Sequence, residues 1–204
     1  MPIFFFILTL ISSYILITVH LFHLNSMILF VKSITSLLFL ATAFTSYKKN
    51  PKEPKLFRLI FLGLAFCFLG DFSFAVAQDE ASIFFLFGII GPALGHIMYI
   101  IAYSTLSKLD FKDLLIFPCI FIPTLATLLL IDFDFKGMFP FVIIYAILIS
   151  FMLTKSFRLL KYTKYNTFKV TCLTGGSVLF FVSDFILLFY LFYPNASYIL
   201  QSYD

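Results

Sequence analysis

The sequence has no tryptophan, three cysteines and three histidines in 204 residues, and only 12% of it is charged. Each shortage excludes something. Without tryptophan, an aromatic belt at a membrane boundary falls to tyrosine. Cys67, Cys119 and Cys172 lie about fifty residues apart with no CxxC spacing, so they read as small buried hydrophobes and not as metal ligands. No HExxH and no three-ligand cluster occurs, so neither a metal nor a cofactor is expected. What fills the chain instead is apolar: 62% hydrophobic and 21% aromatic. A soluble domain has about 45–50% apolar and about 25% charged residues. The composition is that of an integral membrane protein.

Spans of about 20 apolar residues are therefore the unit to count. Seven complete spans are expected, over residues 3–22, 26–46, 57–77, 82–106, 114–131, 138–154 and 167–193, with a truncated eighth at 197–200. The fold class is an all-α polytopic membrane bundle. No linker divides it, so residues 1–204 read as a single transmembrane domain. The first span has no basic n-region and no small-x-small cleavage pattern, and reads as a retained helix.

Twelve of the 14 basic residues fall on one side: Lys48, Lys49, Lys52, Lys55 and Arg58; Lys108 and Lys112; Lys155, Arg158, Lys161, Lys164 and Lys169. The opposite loops carry Asp79-Glu80 and the segment 132–136. The positive-inside rule then puts the N-terminus in the cytoplasm. Basic residues confined to such loops do not make the +4 charge a nucleic-acid footprint, and no nucleic-acid partner is expected.

Two acidic residues break the apolar spans: Asp71 in the third and Asp184 in the seventh. The other eight are read as loop or terminal residues. A carboxylate at membrane depth costs about 2.5–3.5 kcal/mol and marks a functional site by default. Both sit in similar surroundings, Phe68–Phe72 reading FLGDF and Phe181–Phe185 reading FVSDF. Duplication of a four-helix unit about an axis along the membrane normal would produce this pattern, and so would chance.

Depth tests whether the polar residues converge. At 1.5 Å per residue, Asp71 lies about 20 Å beyond Arg58 and Asp184 about 22 Å beyond Lys169. His96 lies about 18 Å above Lys108, and Lys32 about 24 Å above Lys48. Four ionisable residues thus share one layer. His96, Tyr99 and Tyr103 share a face of the fourth helix, Lys32, Thr35 and Ser36 a stripe on the second, and Ser177 lies in line with Asp184. The expectation is a polar, lipid-binding pocket between the second, third, fourth and seventh helices, with the two aspartates facing each other and Tyr145 contributing from the sixth. Simpler readings compete. Lys32 could snorkel, His96 could be an interhelical hydrogen-bond donor, and the charged residues could form structural ion pairs. Gly88, Gly91 and Gly95 read as close-packing positions, and Pro92, Pro118 and Pro123 as kinks.

Lys32, Gly70-Asp71, Gly95-His96-x-x-Tyr99, Tyr145 and Ser183-Asp184, taken in order over the second to seventh spans, resemble the YhhN/TMEM86 family, the lysoplasmalogenases. The resemblance implies eight helices and hydrolysis of the vinyl ether bond of lysoplasmalogens, giving a fatty aldehyde and a glycerophospho-alcohol. It implies Asp71 and Asp184 as the catalytic pair and a lysophospholipid as substrate. Two departures stand out: Lys32 is followed by Ser33 where the family often has proline, and residues 196–204 are too short to span.

The chemistry suits the residues. Vinyl ether cleavage needs an acid, a base and negative charge near an oxocarbenium ion, and two carboxylates in different protonation states supply all three. His96 and Tyr99 would orient them or the water, Lys32 would pair with a carboxylate or the lipid phosphate, and Tyr145 and Ser183 would line the site. Which aspartate is the acid is open at this point. An intramembrane aspartyl protease fits poorly, because Phe68-Leu69 precedes Gly70-Asp71 where GxGD is needed. A small proton-coupled transporter using the same carboxylates as a relay is the alternative. A purely structural membrane protein is the bland reading. The compact loops and the abundance of Phe, Ile and Lys suit a bacterial inner membrane.

Overall fold

The computed structural model describes residues 2–21, 25–77, 82–161 and 167–194. It contains seven helices: α1 (Pro2–Leu21), α2 (Asn25–Lys49), α3 (Pro54–Val76), α4 (Ile83–Leu106), α5 (Phe111–Leu130), α6 (Phe139–Leu159) and α7 (Thr167–Phe192). The fold is all-α, 87% helical, with no strand among the described residues. Proline opens α3 and lies at the start of α6, where its missing N–H costs nothing. Pro92, Pro118 and Pro123 lie inside α4 and α5.

Six of the helices are long and apolar enough to cross a membrane. The one left out, α2, carries Lys32 and the hydroxyls of Ser33, Thr35, Ser36 and Thr42. Outward faces are apolar, as lipid requires: Leu10, Leu62, Leu129 and Leu179 are all exposed. The chain is a multi-pass membrane protein.

The chain forms two compact units, Met1–Ala102 and Tyr103–Asp204. In the first, α1 packs on α2 and α2 on α3; in the second, α5 packs on α6 and α6 on α7. The first unit is joined by small groups. Ser12 meets Thr35 at 2.6 Å and Thr9 meets Thr42 at 3.2 Å between α1 and α2. Between α3 and α4 the backbones nearly touch. A methyl group added at Gly63 would lie 2.6 Å from the Tyr99 ring, and one at Gly95 would lie 2.6 Å from Cys67 Sγ. One added at Gly91 would lie 2.7 Å from Gly70 Cα. Gly88, Gly91 and Gly95 are therefore close-packing residues, as membrane helices use them.

The second unit is joined by charge. Asp113, in the first turn of α5, accepts from Lys155 Nζ at 3.1 Å and from Arg158 Nε at 2.9 Å. Lys155 also donates to the Ser107 and Lys108 carbonyls, and Arg158 reaches Asp110 at 3.1 Å.

Several expectations change. The sixth span was expected to end at 154, but α6 continues to Leu159, because Lys155 and Arg158 bury into this cluster instead of entering a loop. Asp113 likewise is a buried helical residue and not a loop residue. Of the cysteines only Cys67 is buried; Cys119 and Cys172 lie on outward, lipid-suited faces. Asp79, Glu80, His23, Lys164 and the segment 197–200 lie outside the described residues.

Candidate functional site

In the first unit, Lys32 of α2 and Asp71 of α3 form an ion pair of 3.0 Å, with their side chains 36% and 39% exposed. Gly70 explains why Asp71 points there. Gly70 is buried against α4, where a side chain would strike Pro92, so the next residue along the helix turns away from α4 and towards α2. The Gly-Asp dipeptide thus combines a close-packing residue with the charge it aims. Ser33, Ser36, Phe68 and Phe72 line a shallow recess around the pair. Lys32 is therefore engaged with a carboxylate. Thr35, expected in the same stripe, faces α1 through Ser12 instead, because one residue of helix rotates the side chain by about 100°.

His96 and Tyr99 are both buried on α4, at 0% and 4% exposure, with ring centroids 6.3 Å apart. The Tyr99 ring fills the space that Gly63 leaves.

In the second unit, the Tyr145 hydroxyl of α6 donates to Asp184 Oδ2 of α7 at 2.6 Å. The pair borders a narrow groove of about 40 Å³ lined by Leu128, Ala146, Ile149, Phe181, Phe185 and Leu188. Apart from the phenol and the carboxylate, that lining is almost wholly hydrocarbon. Ser177, two turns before Asp184, bonds the Tyr103 hydroxyl at 2.8 Å. Ser183 is exposed on α7 and stands outside the Tyr145–Asp184 bond.

The two pairs share one sequence separation, 39 residues. Sliding Asp71 onto Asp184 also brings Lys32 onto Tyr145, Gly63 onto Gly176, and Phe68 and Phe72 onto Phe181 and Phe185. The match of two five-residue stretches thus extends to the partner of each aspartate. A chance resemblance would not carry that far.

Sequence reasoning missed the Asp110–Asp113–Lys155–Arg158 cluster. A signal was present. Two acids three residues apart open α5 and two bases three residues apart close α6, and each pair falls on one face of its helix.

A helical, multi-pass membrane protein with one membrane-embedded carboxylate, held by a donor from the preceding helix, in each of two units is the class these features define. The chain belongs to the YhhN family, whose model matches residues 27–201. No curated protein and no solved structure matches it.

Proposed function

We propose that this chain is an intramembrane hydrolase that cleaves the vinyl ether bond of lysoplasmalogens, releasing a fatty aldehyde and a glycerophospho-alcohol. The observation that carries the reading is the pair of membrane-embedded aspartates, each held by its own donor at the same spacing. Membership of the YhhN family supports it.

The roles follow from the partners. Asp71, the counter-ion of Lys32, supplies negative charge beside the cation that develops during reaction. Asp184, hydrogen-bonded by Tyr145 beside an apolar groove, delivers a proton to the β-carbon of the vinyl ether. The new C–H bond takes the π electrons and leaves an oxocarbenium ion. Water adds to its carbon and gives up a proton to a carboxylate. The resulting hemiacetal collapses to aldehyde and alcohol, and one proton returns to Asp184. His96 and Tyr99, buried and fixed on α4, orient the water or the carboxylates. The substrate is a single-chain lysophospholipid, whose labile bond lies next to its glycerol. In this reading, the distribution of basic residues supports a cytoplasmic N-terminus in a bacterial inner membrane.

The test is to incubate membranes containing the chain with a 1-alkenyl lysophosphatidylethanolamine and measure free aldehyde, beside Asp71→Asn and Asp184→Asn. Aldehyde from the parent and none from either variant is expected. Near-native turnover in either variant would refute the assignment. A second reading, a proton-coupled carrier, draws on the internal repeat with one carboxylate per unit, a pattern that transporters share. A carrier would move the lysolipid unchanged, so product analysis separates the two.

A further inference from the structure

The chain's cations are not all committed. In the second unit, Lys155 and Arg158 are buried and neutralised by Asp113 and Asp110, while Lys108, Lys112, Lys161 and Lys169 stand exposed on separate segments. In the first unit, five cations crowd the short connection from α2 to α3: Lys48, Lys49, Lys52, Lys55 and Arg58. All five are exposed, and none forms an ion pair among the described residues. The one acidic residue among them is Glu53.

This connection is built to hold a shape. The Tyr47 ring, at the end of α2, stacks on Phe57, at the start of α3, with centroids 3.8 Å apart and planes 2° from parallel. Phe61 continues the cluster against Phe57 at 5.6 Å and Phe44 at 6.2 Å. The backbone between the helices is tied by Asn50 N–H to the Tyr47 carbonyl at 3.0 Å and by Lys52 N–H to the Asn50 carbonyl at 2.8 Å. Glu53 takes a left-handed conformation, φ 54°, so that Pro54 can open α3. The aromatic rings thus pin the two helix ends together and the cations crown them.

Topology alone needs only the charges, not a pinned display of them. A connection this short, leading into α3, which is long and apolar enough to cross the bilayer, cannot leave the headgroup layer. The negative charges within its reach are lipid phosphates. We propose that the α2–α3 connection is a docking surface for the headgroups of anionic phospholipids, separate from the lysolipid site and independent of catalysis. Basic clusters beside a membrane helix hold such lipids electrostatically, within a Debye length.

The experiment places the purified full chain in symmetric nanodiscs of phosphatidylcholine with phosphatidylglycerol and measures the lipid retained by native mass spectrometry. Symmetric discs make the insertion direction irrelevant, so a variant that inserts inverted still reports. Retention of phosphatidylglycerol over phosphatidylcholine by at least about fivefold is expected, the factor that one well-engaged cation supplies. The K48Q/K49Q/K52Q/K55Q/R58Q variant should bring the ratio close to one, as should high salt. The K48R/K49R/K52R/K55R variant keeps every charge and should keep the preference. The half-variants K48Q/K49Q and K52Q/K55Q should each lose part of it, which covers a five-fold variant that fails to fold. A ratio near one in the parent, or an unchanged ratio in the glutamine variants, would overturn the proposal. None of these readouts requires the chain to be an enzyme.

Discussion

The two units place an aspartate in the same frame and surround it with different chemistry. Each frame is a helix, a partner on the helix before it, and phenylalanines three residues before and one residue after the aspartate. In the first unit the partner is an ammonium, the neighbouring helices meet through hydroxyls, and Gly63 is filled by Tyr99. In the second the partner is a phenol, α5 and α6 meet through buried charge, and the space beside Gly176 is open. What the repeat preserves is the spacing of the carboxylates. What diverges is everything that sets how each carboxylate behaves. A pair with unlike surroundings is what acid–base work requires, since two identical carboxyls would compete for one role.

The largest effect should come from the aspartates themselves. Asp71→Asn and Asp184→Asn should each lower aldehyde formation by about 10²- to 10⁴-fold, the range of a lost general acid or base. The comparison makes this sharper than a usual knockout. If the units were redundant copies, one variant would retain about half of the turnover. If they divide the chemistry, neither single variant retains it and the double variant is little worse than either. Single-turnover assays on matched amounts of folded protein would distinguish the two.

Next comes the charge that has no counterpart in the first unit. Lys155 is fully buried, and Asp113 holds both it and Arg158. Removing one partner strands the others, which costs about 3–5 kcal/mol for a buried pair. Lys155→Met or Asp113→Ala should therefore unfold at clearly lower temperature in detergent. Thr42→Val, which removes the hydroxyl pair at the same place in the first unit, should cost about 0.6 kcal/mol. Equal losses in the two units would show that the cluster is not what joins α5 to α6.

How much of this was legible in the chain depends on range. Seven helices follow from counting apolar runs, since lipid leaves the backbone no other way to satisfy its hydrogen bonds. Asp71 and Asp184 stood out because a charge in such a run has few innocent explanations. Lys32 was harder, because a lysine near a helix end can always snorkel, and only its distance to Asp71 resolves the matter. Thr35 was misread by one step of helical rotation. The ion cluster of Asp113 was lost because charges near a predicted span end look like loop residues until the facing helix is known to extend past them. The cysteines failed for a different reason: in a membrane protein an apolar residue is as content facing lipid as facing the core, so hydrophobicity alone does not say buried.

Glycine offers a test of opposite sign in the two units. Gly63 and Gly176 hold equivalent places, yet only Gly63 is overlain, by Tyr99. Gly63→Ala should force the ring away and cost about 1–3 kcal/mol, as overpacking does. Gly176→Ala meets nothing within 4 Å and should gain up to about 1 kcal/mol from better helix propensity. Thermal unfolding of the two variants side by side reads the difference directly. Two losses of equal size would mean that α7 is as tightly covered as α3.

The smallest effect is the most informative about roles. Tyr145→Phe deletes one oxygen and keeps the ring, so the ring's packing survives and the 2.6 Å bond to Asp184 is lost. Hydrogen bonds between membrane helices are worth about 0.6 kcal/mol on average and about 1.7 at most, which corresponds to about threefold to twentyfold in turnover. The loss should appear in the rate of the chemical step and leave lysolipid binding unchanged, because the phenol holds a carboxylate and not the lipid. Lys32→Gln is the matching change in the first unit. It keeps a donor near Asp71 but removes the charge, and it should cost more than Tyr145→Phe. If the phenol proved the more costly of the two, the proton would be moving through the first unit, and the roles assigned to Asp71 and Asp184 would exchange.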